Sequence, residues 1–185
     1  MAKVYESTPR TITIEYRQEK ADKDYGSCMW ATFVFDLDNY SMSIMSDCGS
    51  YAHGWHPTPE SESFIHLLCR FDAGYLLNKL SATTDILERE TGKELWSYIK
   101  DCEEAAEMQI EDYEIREAME ARGAGSDSEF LQIVHSALDY STIRNELDDY
   151  YLLGCVQKDY PLDAKKIVQV FTDYIQPFLR EMKVE

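Results

Sequence analysis

The sequence predicts an α+β fold, in which an N-terminal antiparallel β-meander of three to four strands packs with a helical C-terminal portion. Apolar residues alternate with polar ones before about residue 60, and they recur at helical spacing after it. The chain has 185 residues, 44% of them hydrophobic, which is enough to bury one core. We therefore expect a single domain over residues 1–185, β-rich over 1–60 and helical over 61–185.

The strands are predicted from period-two patterns and from aromatic and β-branched runs. Asp38 and Asn39 supply turn residues between two of these runs. Pro57 and Pro59 end the meander, because proline cannot donate to a strand ladder. The predicted strands are residues 10–17, 29–37 and 40–45, with residues 49–55 as a candidate fourth.

The helices are predicted from apolar residues at positions i, i+3, i+4 and i+7. Ser61 and Ser63 are possible caps for the first helix, and Ser126 with Glu129 forms a capping-box pattern. We expect Gly92 to interrupt a helical pattern that begins near residue 84. The predicted helical segments are residues 62–71, a short run over 75–80, a stripe through Leu95, Trp96, Ile99 and Cys102, a long exposed helix over 103–121, residues 126–137, and a last helix after Pro161 that Pro177 kinks; residues 150–156 stay unassigned.

The charge of the chain narrows the classes of partner. Its formal net charge is −17, and residues 81–160 carry 20 Asp and Glu against 7 Lys and Arg. Unspecific binding to nucleic acid or to an anionic membrane is therefore unfavourable, and a basic protein surface is the expected partner. No stretch has the length or apolar character of a membrane span or a signal peptide, so we expect a cytoplasmic protein.

Three arrangements of polar residues could carry chemistry. His53 and His56 could ligate a metal or transfer protons, and Cys48 or Ser50 could act as a nucleophile with His53 as its base. The carboxylates that could hold magnesium in a nuclease are Asp36, Asp38 and Asp47. Each of these signals is weak. No second Cys or His pair completes a site with the histidines, and neighbours in sequence seldom form a nucleophile and its base. The spacing of the aspartates is common at ordinary turns. We expect free cysteines, no bound metal and no cofactor.

The acidic stretch between residues 101 and 120 has two interpretations. It can be a solvated helix face, or it can present a row of negative charge to a basic cleft that is built for nucleic acid. In the second case, the binding residues are Asp101, Glu103, Glu104, Glu107, Glu111, Asp112 and Glu114.

Three blocks of sequence carry a resemblance to known proteins. They are SDCGSYAHGW at residues 46–55, SFIHLLC at residues 63–69 and GYLLNKL at residues 74–80. The region from about residue 11 to residue 80 resembles small proteins of bacteriophages and prophages. Acidic, compact chains of this size from such genomes are similar to anti-CRISPR and other anti-defence proteins.

The resemblance implies a phage or mobile-element inhibitor of a bacterial defence nuclease in the host cytoplasm. The expected target is a Cas9-type CRISPR effector or its guide-RNA complex, bound through the acidic surface. One alternative is an anti-defence ribonuclease that trims guide RNA, with Asp36, Asp38, Asp47, His53 and His56 as its candidate residues. A third possibility is a phage adaptor protein without enzymatic activity.

Overall fold

A computed structural model of the chain describes residues 8–22, 25–57, 62–105, 110–138 and 147–182. The chain divides into two compact units. The sheet unit comprises Met1–Ala82 and Tyr160–Glu185, and the helical unit comprises Thr83–Asp159. Each unit has its own cluster of buried apolar side chains.

Four strands in the sheet unit form an antiparallel sheet in the order β1-β2-β3-β4. Their bounds are Thr11–Arg17 (β1), Trp30–Asp36 (β2), Ser41–Ser46 (β3) and Gly49–Gly54 (β4). This arrangement confirms the predicted α+β class, with its N-terminal meander and the helices that follow. It also confirms the candidate fourth strand.

Alternation along the strands sets the two faces of the sheet. In β3, Met42 and Ile44 are buried, whereas Ser43 and Met45 point to solvent. Phe33 and Phe35 of β2 extend the buried face, where both rings lie within 6.5 Å of the Phe171 ring, centroid to centroid. The sheet therefore packs one apolar face against helices and leaves the other face wet.

The helices differ in several of their bounds from those that the sequence pattern predicts. They are α1 (Phe64–Leu68), α2 (Ala73–Leu80), α3 (Glu88–Ala105), α4 (Asp112–Ala118), α5 (Asp127–Ala137), α6 (Asp149–Gly154), α7 (Leu162–Val170) and α8 (Gln176–Glu181). A 3-10 segment, Met119–Gly123, follows α4, and a π-helical segment, Phe171–Ile175, joins α7 to α8. Among the described residues, no helix is both long enough and apolar enough to cross a membrane.

The first predicted helix ends early and a second one follows. Ser63 caps α1 by accepting a hydrogen bond from the His66 amide at 3.4 Å, whereas Ser61 lies outside the described residues. Asp72 caps α2, since its carboxylate accepts from the Tyr75 amide at 2.7 Å. The break between the predicted segments over 62–71 and 75–80 therefore lies before Ala73, because a carboxylate at residue 72 satisfies the first turn of α2.

Helix α8 is fastened to the end of α1 by a buried amide. Gln176 donates through Nε2 to the carbonyls of Leu68 and Phe71 at 2.9 and 2.8 Å. The π-helical segment precedes Pro177, which has no N–H to continue the regular ladder and at which the sequence predicts a kink. Pro161 lies just before α7, at its cap position.

In the helical unit, a two-residue ladder joins the beginning to the end. Strands β5 (Asp85–Ile86) and β6 (Lys158–Asp159) pair antiparallel, and the sequence pattern predicted neither. The buried hydroxyl of Thr91 then accepts from the Gln157 amide at 3.0 Å. This ladder fixes where α3 begins.

The expected interruption at Gly92 is wrong, since α3 runs through it from Glu88 to Ala105. A Cβ at Gly92 would lie 3.3 Å from Cδ of Arg122 and 3.5 Å from Cε of Met119. A side chain at this position would press against the 3-10 segment, so glycine suits the close packing there. Trp96, which was assigned to the apolar stripe with buried Leu95 and Ile99, is instead 46% exposed.

The long helix expected over residues 103–121 is also wrong. Helix α3 ends at Ala105, and Ile110 and Glu111 are not helical before α4 begins. Residues 150–156, left unassigned by the sequence, belong mostly to α6. At α5, Ser126 accepts from the Glu129 amide at 3.2 Å as predicted, but the Glu129 carboxylate accepts from Gly125 at 2.9 Å rather than from Ser126.

Candidate functional site

The predicted acidic binding residues fall on two helices instead of one. Asp101 and Glu104 are exposed on α3. Glu103 is committed to the fold, because its Oε1 accepts from the Ile110 amide at 2.8 Å and its Oε2 from Lys100 Nζ at 2.6 Å. Lys100, and then the Ile110 amide, lower the pKa of the Glu103 carboxyl below its usual value. Glu103 therefore anchors the chain after α3.

At the start of α4, the three predicted carboxylates differ in exposure. Glu111 and Asp112 are exposed, but Glu114 is only 6% exposed and accepts a hydrogen bond from the Glu111 amide at 3.3 Å. This bond satisfies a free N–H at the start of the helix. Glu107, the seventh predicted residue, lies outside the described residues.

A longer acidic stripe runs along α3 than the sequence suggested. Glu90, Glu94, Asp101 and Glu104 are all exposed and share one side of the helix, because intervals of four, seven and three residues return to the same face. No ion pair within the described parts of the chain involves these four carboxylates. Their negative charge is therefore available to a partner.

Tyrosines of α6 extend this stripe into a groove. We define the acidic tyrosine groove by its lining residues Glu94, Tyr98, Asp101, Tyr150, Tyr151 and Leu153, which surround a volume of about 640 Å³. Tyr150 is 79% exposed and Tyr151 is 60% exposed. The unit thus presents two large aromatic rings to solvent beside two unpaired carboxylates.

Contacts among the tyrosines hold the groove in shape. The rings of Tyr98 and Tyr151 stack with centroids 6.2 Å apart, and the Tyr150 ring meets that of Tyr151 edge-on at 5.6 Å. The Asp148 amide donates to the Tyr98 hydroxyl at 3.1 Å, which ties the start of α6 to α3. Burial raises the pKa of the Tyr98 hydroxyl. The aromatic wall is therefore held by contacts within the protein itself.

Two of the candidate magnesium ligands lie together at the turn between β2 and β3. Asp36 Oδ1 accepts from the amides of Asp38 and Asn39 at 3.1 and 2.9 Å. The Asp38 carboxylate accepts two hydrogen bonds from Arg10, one from the Arg10 amide and one from the Arg10 Nε, each at 2.9 Å. Both carboxylates are used to build the turn and to tie it to β1. Asp47 is at the opposite end of β3, so the structure does not gather the three.

Asp47 instead lies beside two cysteines. Its carboxylate accepts from the amides of Met29 and Trp30 at 2.9 and 3.3 Å, and it lies 3.5 Å from the Cys28 thiol. The possible ligand atoms of Cys28, Asp47 and Cys48 all lie within 4.8 Å of one another. These are three donors of the kind zinc accepts, one fewer than its usual four.

The two thiols in this cluster are hydrogen-bonded and unreactive in character. Cys48 donates to the Ser27 carbonyl at 3.3 Å. Burial raises the pKa of both the Cys28 and the Cys48 thiols. A thiol held protonated is a poor nucleophile, and Cys48 precedes β4 whereas His53 lies near the far end of that strand. The predicted nucleophile and base are therefore not brought together.

The two candidate histidines also have separate surroundings. His53 packs edge-on against Trp55, with ring centroids 4.7 Å apart, and His56 is exposed beyond the end of β4. Burial, and then the positive charge of Lys79, lower the pKa of His53. His53 is thus an aromatic neighbour of the core rather than a partner of Asp47.

Comparison with known proteins gives one match. The model of the phage family Phage_phiTE_072 matches residues 3–181. The chain belongs to this phage family. Because the match spans nearly the whole chain, both units of the phage protein lie within the family's extent. No curated protein and no solved structure matches.

The family match confirms the resemblance to phage proteins that the first 80 residues suggested, and it extends that resemblance through the acidic helices of the phage protein. The sequence missed the groove because Tyr150 and Tyr151 lie about 50 residues from Glu94 and Asp101. The adjacent tyrosines were the only local signal for it.

Proposed function

We propose that this phage protein binds and inhibits a bacterial defence nuclease, such as a Cas9-type effector with its guide RNA, through the acidic tyrosine groove. The observation that carries the proposal is the combination of Tyr150 and Tyr151, both largely exposed, with the unpaired carboxylates of Glu94 and Asp101 in one groove. A nuclease offers the complementary surface, because its nucleic-acid channel is lined by Lys and Arg.

Charge supports a basic partner. The helical unit carries 20 Asp and Glu residues against 7 Lys and Arg residues, so most of the chain's net charge of −17 belongs to it. Complementary charge accelerates association and selects against acidic competitors. The phage protein would then compete with nucleic-acid phosphates for the same cations.

The tyrosines supply binding energy that charge alone does not. Exposed charge pairs contribute little affinity after solvation, whereas Tyr and Trp side chains dominate the binding energy of protein interfaces. Arg side chains of a partner can also stack on the faces of Tyr150 and Tyr151. The groove therefore combines tyrosines that would supply most of the binding energy with an acidic rim.

The test is a titration of the phage protein against a reconstituted Cas9–guide RNA complex, with DNA cleavage and guide-RNA integrity followed together. We expect loss of cleavage at about one protein per complex, as for a tight binding inhibitor. Tyr151→Ala should weaken inhibition by a factor of about 30, as expected for an aromatic centre of an interface. Glu94→Lys with Asp101→Lys should weaken it further and slow association.

The matched control places the same charge changes on the sheet unit, as Glu19→Lys with Glu181→Lys, since both side chains are exposed. If this control weakens inhibition as much as the groove variant, only net charge matters and the groove has no special role. Shortened guide RNA at substoichiometric protein would favour a ribonuclease. Full cleavage with every defence nuclease tried would favour the adaptor role.

A further inference from the structure

A second groove in the helical unit collects most of that unit's cations. The unit has 7 Lys and Arg residues in all. Four of them, Arg89, Lys93, Arg116 and Arg122, line two adjoining hollows of about 430 and 550 Å³ that share Trp96, Met119 and Arg122. We call this pair of hollows the tryptophan groove.

The groove has a simple origin in the sequence. Arg89, Lys93, Trp96 and Lys100 recur on α3 at intervals of four, three and four residues, and therefore share one side of the helix. This side differs from that of the acidic stripe. Helix α4 and the 3-10 segment supply the opposite wall, with Arg116 from the former and Met119 and Arg122 from the latter.

The cations of this groove are not neutralised by local pairs. No ion pair among the residues described by the structure involves Arg89, Lys93, Arg116 or Arg122. The helical unit has a large excess of carboxylates. The four cations that line this pair of hollows, unpaired among the described residues, therefore differ in charge from the rest of its surface. They make the groove a place where an anionic group can bind.

The floor of the groove is aromatic and open. Trp96 is 46% exposed, and Lys100 Nζ lies 5.1 Å from the centre of its ring. Gly92 also lines the groove, and Arg122 packs against it so closely that a Cβ there would lie 3.3 Å from the Arg122 Cδ. Three carboxylates, Glu88, Asp112 and Glu120, also line the two hollows. A ligand must therefore offer a flat ring, an anion and hydrogen-bond donors.

We propose that the tryptophan groove binds one nucleotide unit of a single-stranded nucleic acid, with the base against Trp96, the phosphate on the Arg and Lys side chains, and an exocyclic amino group donating to a lining carboxylate. Tryptophan stacking and guanidinium contacts are the usual means of holding unpaired nucleotides. An acidic peptide matches the cations, but its side-chain carboxylates offer no hydrogen-bond donor to Glu88, Asp112 and Glu120.

The charge of the remaining surface limits the ligand to a short one. Phosphates beyond the groove would meet the acidic excess of the unit, so affinity should not increase with strand length as it does on an extended basic channel. The carboxylates also predict a preference among bases. Cytosine presents an amino group that a carboxylate can accept from, whereas uracil presents a carbonyl oxygen at the same position.

The experiment uses fluorescein-labelled six-nucleotide oligocytidine and oligouridine with the full-length protein at low salt, and follows fluorescence anisotropy. We expect oligocytidine to bind about fivefold more tightly than oligouridine, the lower end of what one base contact provides. Raising the salt concentration should weaken both, with the shallow dependence of only one or two phosphate contacts.

Three variants locate the binding. Trp96→Leu should weaken oligocytidine binding by about tenfold through loss of stacking. Arg122→Gln should weaken it and reduce the salt dependence, whereas Lys20→Gln, an equal charge change at an exposed position in the sheet unit, should not. Gly92→Ala should weaken binding while it preserves the unfolding temperature, because alanine favours the helix but moves Arg122.

Three outcomes would overturn the proposal. The first is no saturable binding of either oligonucleotide at low salt. The second is binding that Trp96→Leu leaves unchanged. The third is binding of a hexaglutamate peptide as tight as that of oligocytidine, because any anion would then suffice. Since the assay contains no nuclease, its result is independent of whether the acidic tyrosine groove inhibits one.

Discussion

Asp36, Asp38 and Asp47 show how a surface carboxylate can be committed to the backbone. Each accepts at least one main-chain amide, at the turn after β2 or at the turn after β3. Hydrogen bonds from Asn39 lower the pKa of Asp36, and hydrogen bonds from Arg10 lower the pKa of Asp38. At Asp47, burial acts to raise the pKa, but hydrogen bonds from the amides of Met29 and Trp30 lower it below its usual value. These residues stabilise the sheet when they are ionised.

This linkage predicts acid sensitivity of the sheet unit. A carboxyl whose folded pKa is lowered contributes stability above its unfolded pKa of about 4, and that contribution is lost as the pH falls through the folded pKa. We expect the urea midpoint to decrease as the pH is lowered from about 5 towards 3. Asp38→Asn should flatten this dependence, and Glu19→Gln, at an exposed position, should not. A midpoint constant over this range would contradict the assignment.

The exposure of the predicted binding residues could be predicted only in part from the sequence. The sequence identified Asp101 and Glu104 as available because an acidic helix face is usually solvated. It could not show that Glu114 is buried or that Glu103 holds the Ile110 amide, since both depend on where α3 stops. Charge alone does not reveal which carboxylates the backbone uses.

At the scale of elements, local patterns predicted the strands better than the helices. The period of two in β1 and β3 is visible within six or seven residues. The ends of α3, by contrast, are set by the β5-β6 ladder and by Glu103, which are contacts between distant or non-helical positions. Gly92 remains helical because Met119 and Arg122 fill the space beside it. No local pattern contains that information.

The buried amide of Gln176 carries a prediction at this scale. Gln176→Met keeps the volume but removes the side-chain donor to both carbonyls, and the Leu68 carbonyl keeps the longer bond from the Phe71 amide, at 3.4 Å. We expect a loss of about 1–3 kcal/mol in the free energy of unfolding, the usual cost of unsatisfied buried groups. Urea denaturation measures it, with Gln169→Met on the exposed side of α7 as the control. Equal effects of the two substitutions would show that the bonds contribute nothing.

At the scale of the whole molecule, the net charge of −17 acts against compactness. Like charges on the helical unit repel one another, and salt screens this repulsion over about 10 Å at moderate ionic strength. We expect the unfolding temperature to rise as NaCl is increased from about 20 to 300 mM. Calorimetry gives the measurement. A decrease with salt would mean that the ion pairs, such as Lys158 with Asp127, outweigh the repulsion.

The two proposed binding grooves use residues of opposite charge on one helix. Helix α3 supplies Glu94 and Asp101 to one groove and Lys93 and Trp96 to the other. Substitutions in each groove should therefore be separable in their effects. A variant deficient in oligonucleotide binding can still be tested for nuclease inhibition, and the reverse also holds.

The β5-β6 ladder places Asp85 directly opposite Asp159, so the helical unit begins and ends at neighbouring positions. A segment of this kind can be removed and replaced by a short turn, because the two cut ends already meet. Recombination that exchanged the codons for Thr83–Asp159 would thus join the new segment at two positions that are close in space. The sheet unit has its own core and would stay unchanged in that exchange.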